Sequence, residues 1–387
     1  MRETSGASTS VSSIQIRPVS TSRDRRRFIA FPYELYCSSP YWIAPLRREQ
    51  QQLLFSKENP FLLHSKIVPF IAEDASGQVL GRIAAIVNGM HLQTHNDGVG
   101  FFGFFECIER YDVAAMLLDA VAAYLRAQGL LYMRGPTNPS INECSGLLTK
   151  GFDRTPSILM PYNFPYYEDF LLEYGFERKM RMTAYYGAWK HLNTDRMKRG
   201  VEVTQKRMPG LRIRKPDMSR FEEETRIMWQ IYNQAFASGF GHVPMTEAEF
   251  MYMANGMRPI LDPNLVFFLE HNQHPVGFSL SVPDVNAMLR HVPDGRLFPF
   301  GLIKLLGAKW FGKCREFRTA VMALLPEYQR RGLASFLILS TIEEGRHHGY
   351  VASELSWVMD DNVVLKNSLE KLGAVVDKEY ALFEKQL

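Results

Sequence analysis

The run Leu324-Leu325-Pro326-Glu327-Tyr328-Gln329-Arg330-Arg331-Gly332-Leu333-Ala334 carries the groups best suited to chemistry. It follows an apolar stretch of strand character and opens a stretch of helical periodicity. At such a junction the first backbone N–H groups of the helix lack intrahelical acceptors, and the positive end of the helix dipole points the same way. A diphosphate is the natural ligand of that point. Gly332 has no side chain to hold the phosphate off, Ala334 keeps the first turn slim, and Pro326 ends strand pairing. Arg330 and Arg331 add charge that suits further phosphates. The plain alternative is an ordinary strand-to-helix turn with a solvated arginine pair.

The elements that must position this turn come in two passes of the same order. In the first, residues 14–18 read as a strand, 24–37 and 46–55 as helices, and 67–73, 79–88 and 99–106 as strands. A helix over 112–128 stops at Gly129, followed by a strand at 130–134, a polar loop over 135–157 and a helix at 166–174. The second pass places a strand at 211–214, helices at 219–236 and 247–257, and strands at 266–270, 276–282 and 317–325. A helix over 332–346, a strand at 351–357 and a helix at 362–372 complete it. The expected organisation is a disordered tail over 1–13, a first domain over 14–190, a basic connecting helix over 191–210 and a second domain over 211–387. The first domain has no phosphate turn. Between its apolar strand and helix stands Glu106-Cys107-Ile108-Glu109-Arg110-Tyr111-Asp112, where no glycine opens the approach and three carboxylates repel anions.

The late turn resembles the Q/R-x-x-G-x-G/A signature of the GNAT superfamily, with Gln329, Gly332 and Ala334 at its three defining positions. The helix from Asn362 to Gly373-Ala374 resembles that family's last helix. The resemblance implies an α+β fold of two tandem GNAT-like domains, each a mixed, mostly antiparallel sheet flanked by helices. It also implies acyl-CoA as co-substrate, held by Leu324, Gln329, Arg330, Arg331, Gly332, Leu333, Ala334 and Asn362. Its pantetheine arm would run between strands 317–325 and 351–357. Transfer to an amine then needs a base, a stabilised oxyanion and a proton for the leaving thiolate. Many family members place a tyrosine on the last helix as the acid, but Leu369 stands there. Tyr380 is the aromatic candidate instead, against the plainer reading of a strand tyrosine with a satisfied hydroxyl. Glu354 and Asp284 are the candidate bases, against the reading of ordinary hydrogen-bonded carboxylates. No metal is expected, and Cys144 has no histidine nearby to make it a nucleophile.

The acceptor side has two candidates. One is the loop from Gly135 to Gly146, with Asn142 and Glu143. The other is the segment 297–313, too apolar for an exposed loop and too short to span a bilayer, with Phe298, Phe300, Trp310 and Phe311 among spaced lysines. It reads as an interfacial helix, or else as a helix packed over the sheet. The pieces Gly135-Pro-Thr-Asn-Pro-Ser-Ile-Asn142, Met160-Pro-Tyr-Asn-Phe-Pro-Tyr-Tyr167, Pro283-Asp-Val-Asn286 and Asp360-Asp361-Asn362 resemble a bacterial group of two-domain GNAT-like proteins. Some of that group look like bacterial ceramide synthases, which implies a long acyl chain and a sphingoid or similar lipid amine. The alternatives are acetylation of a small-molecule or peptide amine, and a non-catalytic acyl-CoA sensor.

Composition narrows the classes further. A net charge of +4 is too small for a nucleic-acid surface and suits an anionic cofactor. Four scattered cysteines form no CxxC pair, which argues against a zinc site or disulfide framework and for a reducing compartment. Residues 1–13 have no apolar core of a signal peptide, and no apolar run is long enough to span a membrane. A cytoplasmic protein is expected, with peripheral contact to the inner face of the membrane through 297–313.

Overall fold

The computed structural model describes residues 14–296 and 314–387. The expected tail and the apolar segment with Phe298, Phe300, Trp310 and Phe311 lie outside the described residues.

The first half begins β1 (Gln15–Pro18), α1 (Ser22–Leu35), α2 (Arg47–Phe55), β2 (Ser65–Glu73), β3 (Val79–Asn88), α3 (Gly89–His95) and β4 (Val99–Cys107). It continues with α4 (Tyr111–Ala127), β5 (Tyr132–Gly135), β6 (Thr137–Asn138), β7 (Cys144–Ser145), β8 (Leu147–Lys150), α5 (Tyr166–Glu173) and β9 (Glu177–Ala188). Helix α6 (Asp195–Arg207) leads to β10 (Leu211–Arg214), α7 (Phe221–Ala235), α8 (Glu247–Met257), β11 (Val266–His271), β12 (His274–Pro283) and the short α9 (Asn286–Leu289). After the apolar segment come β13 (Glu316–Leu324), α10 (Ala334–His347), β14 (Ala352–Met359), α11 (Val363–Leu372) and β15 (Val375–Gln386).

Local chemistry explains several boundaries. Thr21 caps α1 and Thr246 caps α8, each in a reciprocal capping box with an acid three residues on, Asp24 and Glu249. Helix α4 buries Val113, Leu117, Leu118, Val121 and Leu125, spaced three and four apart, against β2 and β3. Burying each such side chain stabilises the fold by about 1.5–3 kcal/mol. An aspartate at Leu117 would break that packing. No residue of helix α6 is fully buried, although Met197 and Val201 pack against the core.

The sheet is continuous through both halves, thirteen strands in the order β1-β2-β3-β4-β5-β15-β9-β14-β13-β12-β11-β10, with β8 also on β15. Among the described strands the parallel pairs are β4 with β5 and β13 with β14, one in each half. The centre of the sheet departs from a simple tandem arrangement. The last strand of the chain, β15, lies between β5 and β9 of the first half, and β9 in turn pairs with β14 of the second. The two halves thus exchange their final strands. Arg134 on β5 and Glu384 on β15 lock this exchange with an ion pair in which Arg134 Nε donates over 2.7 Å.

Candidate active site

Strand β13 ends at Leu324, and the chain turns tightly over Pro326–Tyr328, where the N–H groups of Tyr328 and Gln329 donate to Leu325 and Pro326. The Gln329 amide then pins the turn, donating to Leu324 O at 2.9 Å and to Ala235 O at the end of α7 at 3.0 Å. Beyond it Arg330 (φ 59°) and Gly332 (φ 78°) both take left-handed backbone. That geometry swings successive amides outward. The N–H groups of Arg330, Arg331, Gly332, Leu333 and Ala334 have no acceptor among the described residues. Consecutive free amides of this kind form a concave anion site. Among the described residues a Cβ at Gly332 would meet only Thr204 Oγ1 at 3.7 Å, so the approach is open. Leu333 anchors the turn from behind, buried with Phe336, Leu337 and Phe267. The side chains of Arg330 and Arg331 are exposed and have no partner among the described residues. Sequence periodicity starts the helix at Gly332, whereas α10 begins at Ala334 because the glycine serves the left-handed bend.

Next to this turn the sheet opens. Strands β13 and β14 pair from Glu316↔Ala352 to Thr319↔Leu355 and then part, although each runs several residues further. A bulge on β13, where its register against β12 shifts after Leu280, marks the point of parting. On the helix side the gap opens on a shallow cleft lined by Thr319, Met322, Ile338, Thr341, Ser353 and Leu355. Asn362 caps α11 by accepting from Leu365 N at 3.3 Å, and Leu369 is core. The unpaired edges of β13 and β14 leave backbone groups free to bond a ligand lying between them.

On the opposite face, at the same level, lies a buried polar cluster. Arg318, only 4% exposed, donates to Ser356 Oγ (2.8 Å), Ser356 O (3.0 Å) and Ile158 O (3.2 Å). Ser356 Oγ in turn donates to Glu354 Oε1 at 2.7 Å. Burial works against the Arg318 charge, and Glu354 beside it works the other way. Tyr380 is fully buried, and its hydroxyl has no partner among the described residues, so the reading of a satisfied strand tyrosine does not hold. Burial and the nearby Glu354 push its pKa well up and keep it protonated. Asp284 accepts from Ile158 N (3.1 Å) and Asn286 N (3.2 Å), yet burial, reinforced by Glu354, raises its pKa to about 7. A carboxyl poised there can exchange a proton at neutral pH. The structure therefore brings Glu354, Asp284 and Tyr380 into one electrostatic neighbourhood. Sequence reasoning missed Arg318 and Ser356. The available signal was an arginine inside the apolar run Phe317-Arg318-Thr319-Ala320-Val321.

The polar loop of the first half covers this face. Asn142 donates to Val243 O at 2.8 Å and accepts from Tyr232 on α7 at 2.9 Å. Glu143 accepts from Ser140 N at 3.3 Å, and burial with Glu249 nearby raises its pKa to about 8. Cys144 is close enough for Arg318 to influence it, but burial raises its thiol to about 11, which makes it a poor nucleophile.

The first half has its own parting strands, and its own chain fills them. Strands β4 and β5 pair only from Val99↔Tyr132 to Phe101↔Arg134. Beyond that point β6 enters the gap: Phe104 N donates to Asn138 Oδ1 at 2.6 Å, and a Cβ on Gly103 would sit 1.7 Å from Thr137 O. Behind it, Glu106 accepts from Tyr36 (2.5 Å) and Tyr167 (2.8 Å). The gap between β4 and β5 is thus closed by the chain itself.

As for metals, Glu344, His347 and His348 bring ligand atoms within 4.8 Å of one another at the far end of α10 from the turn. Lys215 already donates to Glu344 there at 2.9 Å.

Known proteins share the family pattern and the fold. The sequence pattern described as acetyltransferase (GNAT) family matches residues 225–374. The chain is 32% identical over 377 residues to Protein YghO of Escherichia coli strain K12, covering 96% of this chain and 95% of that one. It is 31% identical over 383 residues to the bacterial ceramide synthase of Caulobacter vibrioides strain NA1000 / CB15N, covering 97% and 98%. The solved tandem GNAT protein from the clavulanic acid biosynthesis pathway superimposes with a TM-score of 0.56 over 97% of this chain and 98% of that one. At 10% identity that likeness speaks for the fold alone.

Proposed function

The chain belongs to the acetyltransferase (GNAT) family, and from that premise we propose that it moves a long acyl group from coenzyme A to the primary amine of a sphingoid base or similar lipid. The observation that carries the acyl-CoA part is the run of free amides from Arg330 to Ala334 beside the parting strands β13 and β14. The lipid part is supported by similarity along nearly the full length to the ceramide synthase.

Bound acyl-CoA would supply the activated thioester. The amides of 330–334 hold its diphosphate, with Arg330 and Arg331 reaching further phosphates and Leu324 and Asn362 flanking the arm. Asp284, half protonated near pH 7, takes the proton of the incoming ammonium. Glu354 keeps the Arg318–Ser356 pair in place next to it. In this reading the half over 211–387 binds acyl-CoA, 191–210 connects, and the half over 14–190 shapes the acceptor side through Asn142 and Glu143. No described helix is long and apolar enough to cross a membrane. We place the protein in the cytoplasm, touching the inner face of the membrane through 297–313 to meet its lipid.

The test is to supply palmitoyl-CoA with a sphingoid base, following thiol release and the amide by mass. Absence of amide from every long-chain amine tried overturns the proposal.

A further inference from the structure

Next to the Arg318–Ser356–Glu354 cluster lies a methionine-rich patch of core. Trp357 and Met359 on β14, Met180 and Met182 on β9, Tyr380 on β15 and Met160 from the covering segment pack together there. The patch begins at the reacting level of the sheet, since Ser356 Oγ lies 3.5 Å from Met160 Sδ. It then runs across the exchanged strands, where Met182 pairs with Met359 on one side and Tyr380 on the other. Gly146 lets the first half's loop lie on top: a Cβ there would come within 2.5 Å of the Met182 methyl and 3.5 Å of Tyr380 Cβ. Methionine is unbranched and adaptable, so such a core can re-pack around an inserted chain.

Two polar groups stand in this patch without partners among the described residues: the Tyr380 hydroxyl and the Trp357 indole N–H. Both atoms are buried, and Tyr380 as a whole is 0% exposed. Buried donors of this kind are costly to leave unpaired, and each calls for an oxygen. A saturated acyl chain has none beyond its thioester carbonyl. An acceptor with hydroxyl groups next to its amine carries oxygens that such donors can bond, followed by an apolar chain for the methionines.

We propose that Tyr380 and Trp357 read hydroxyl groups adjoining the amine of the acceptor, whose aliphatic chain enters the methionine patch between the two halves. The inference rests on the acyltransferase reading above and specifies its acceptor as a long-chain amino alcohol. A site built to hydrogen-bond a substrate hydroxyl rejects the analogue lacking it, whereas a purely apolar pocket does not.

The experiment compares a C18 2-amino-1,3-diol with octadecylamine, both with palmitoyl-CoA, for the parent, Tyr380→Phe and Trp357→Phe. The parent should favour the diol by at least about tenfold in kcat/KM. Each variant should shrink that ratio to below about threefold, with the diol losing far more than the plain amine. A merely structural role would lower both substrates alike and leave the ratio in place, and that result overturns the proposal. A preference that follows a 3-hydroxyacyl donor instead of the acceptor's hydroxyls overturns it too. Failure of the parent to acylate either amine sinks the acyltransferase reading itself, and this inference with it. Melting curves of each variant establish that the fold is intact before rates are compared.

Discussion

Replacing Gly332 with aspartate strikes the proposed cofactor turn and leaves the packed core alone. Gly332 sits at φ 78°, and a Cβ built there finds only Thr204 Oγ1, 3.7 Å away. The side chain therefore has room, and the left-handed backbone costs about 1–2 kcal/mol. A carboxylate at about 5 Å from one phosphate charge adds repulsion of about 0.8 kcal/mol in water and about 3 kcal/mol at an effective dielectric of 20. The turn is exposed, so the lower half of that range applies, and two phosphate charges give about 2–3 kcal/mol. The dissociation constant for coenzyme A should rise about 30- to 150-fold. Gly332→Ala carries the same backbone cost without the charge and should lose less than about tenfold. Isothermal titration with coenzyme A measures both, and melting curves should show a drop of only a few degrees. Aspartate binding as tightly as glycine refutes the anchor. Alanine losing as much as aspartate refutes the electrostatic reasoning.

Asp284→Asn should lower kcat/KM and remove a limb of the pH profile near 7, because the carboxyl is held protonated up to about that pH by burial. Between about pH 4 and 7 the folded chain keeps a proton that the unfolded chain has lost, so raising the pH through this window costs stability. Asparagine cannot ionise, so its Tm advantage over the parent should grow from pH 4 to 7 and then level off. Gly103→Ala drives a Cβ to 1.7 Å from Thr137 O and should destabilise the protein by about 1–3 kcal/mol in denaturant titrations. Its surviving folded fraction should bind coenzyme A with parental affinity, because the plugged gap lies in the other half. Removing residues 375–387 takes away the strand between β5 and β9, so limited proteolysis should then cut the first half rapidly. A truncated chain as resistant as the parent would show the strand exchange to be dispensable.

The turn and most of the elements could be read in the sequence because their causes are local. Capping residues, glycine stops and three-to-four spacing in α4 act within a few residues of one another. Leu325-Pro326 through Ala334 announced a turn into a helix for the same reason: strand end, glycine and helix start follow one another directly. Even there, that Gln329 braces the turn against α7 depends on Ala235, nearly a hundred residues away in the chain. The candidates Glu354, Asp284 and Tyr380 could be named from the sequence as groups able to do chemistry. What makes each of them unusual is burial, and burial depends on partners distant in the chain.

The sequence by itself determined that one half carries the glycine turn proposed to hold phosphate and the other does not, since a missing glycine and three carboxylates need no tertiary context to disfavour an anion. Only the tertiary structure decided that Thr137 and Asn138 fill the first half's gap, that the final strands change places, and that Arg318 joins Ser356 and Glu354 across two strands. Strand alternation tells which residues share a face but not which strand lies alongside. That choice is made by pairing and packing among segments up to 250 residues apart, as Arg134 and Glu384 are.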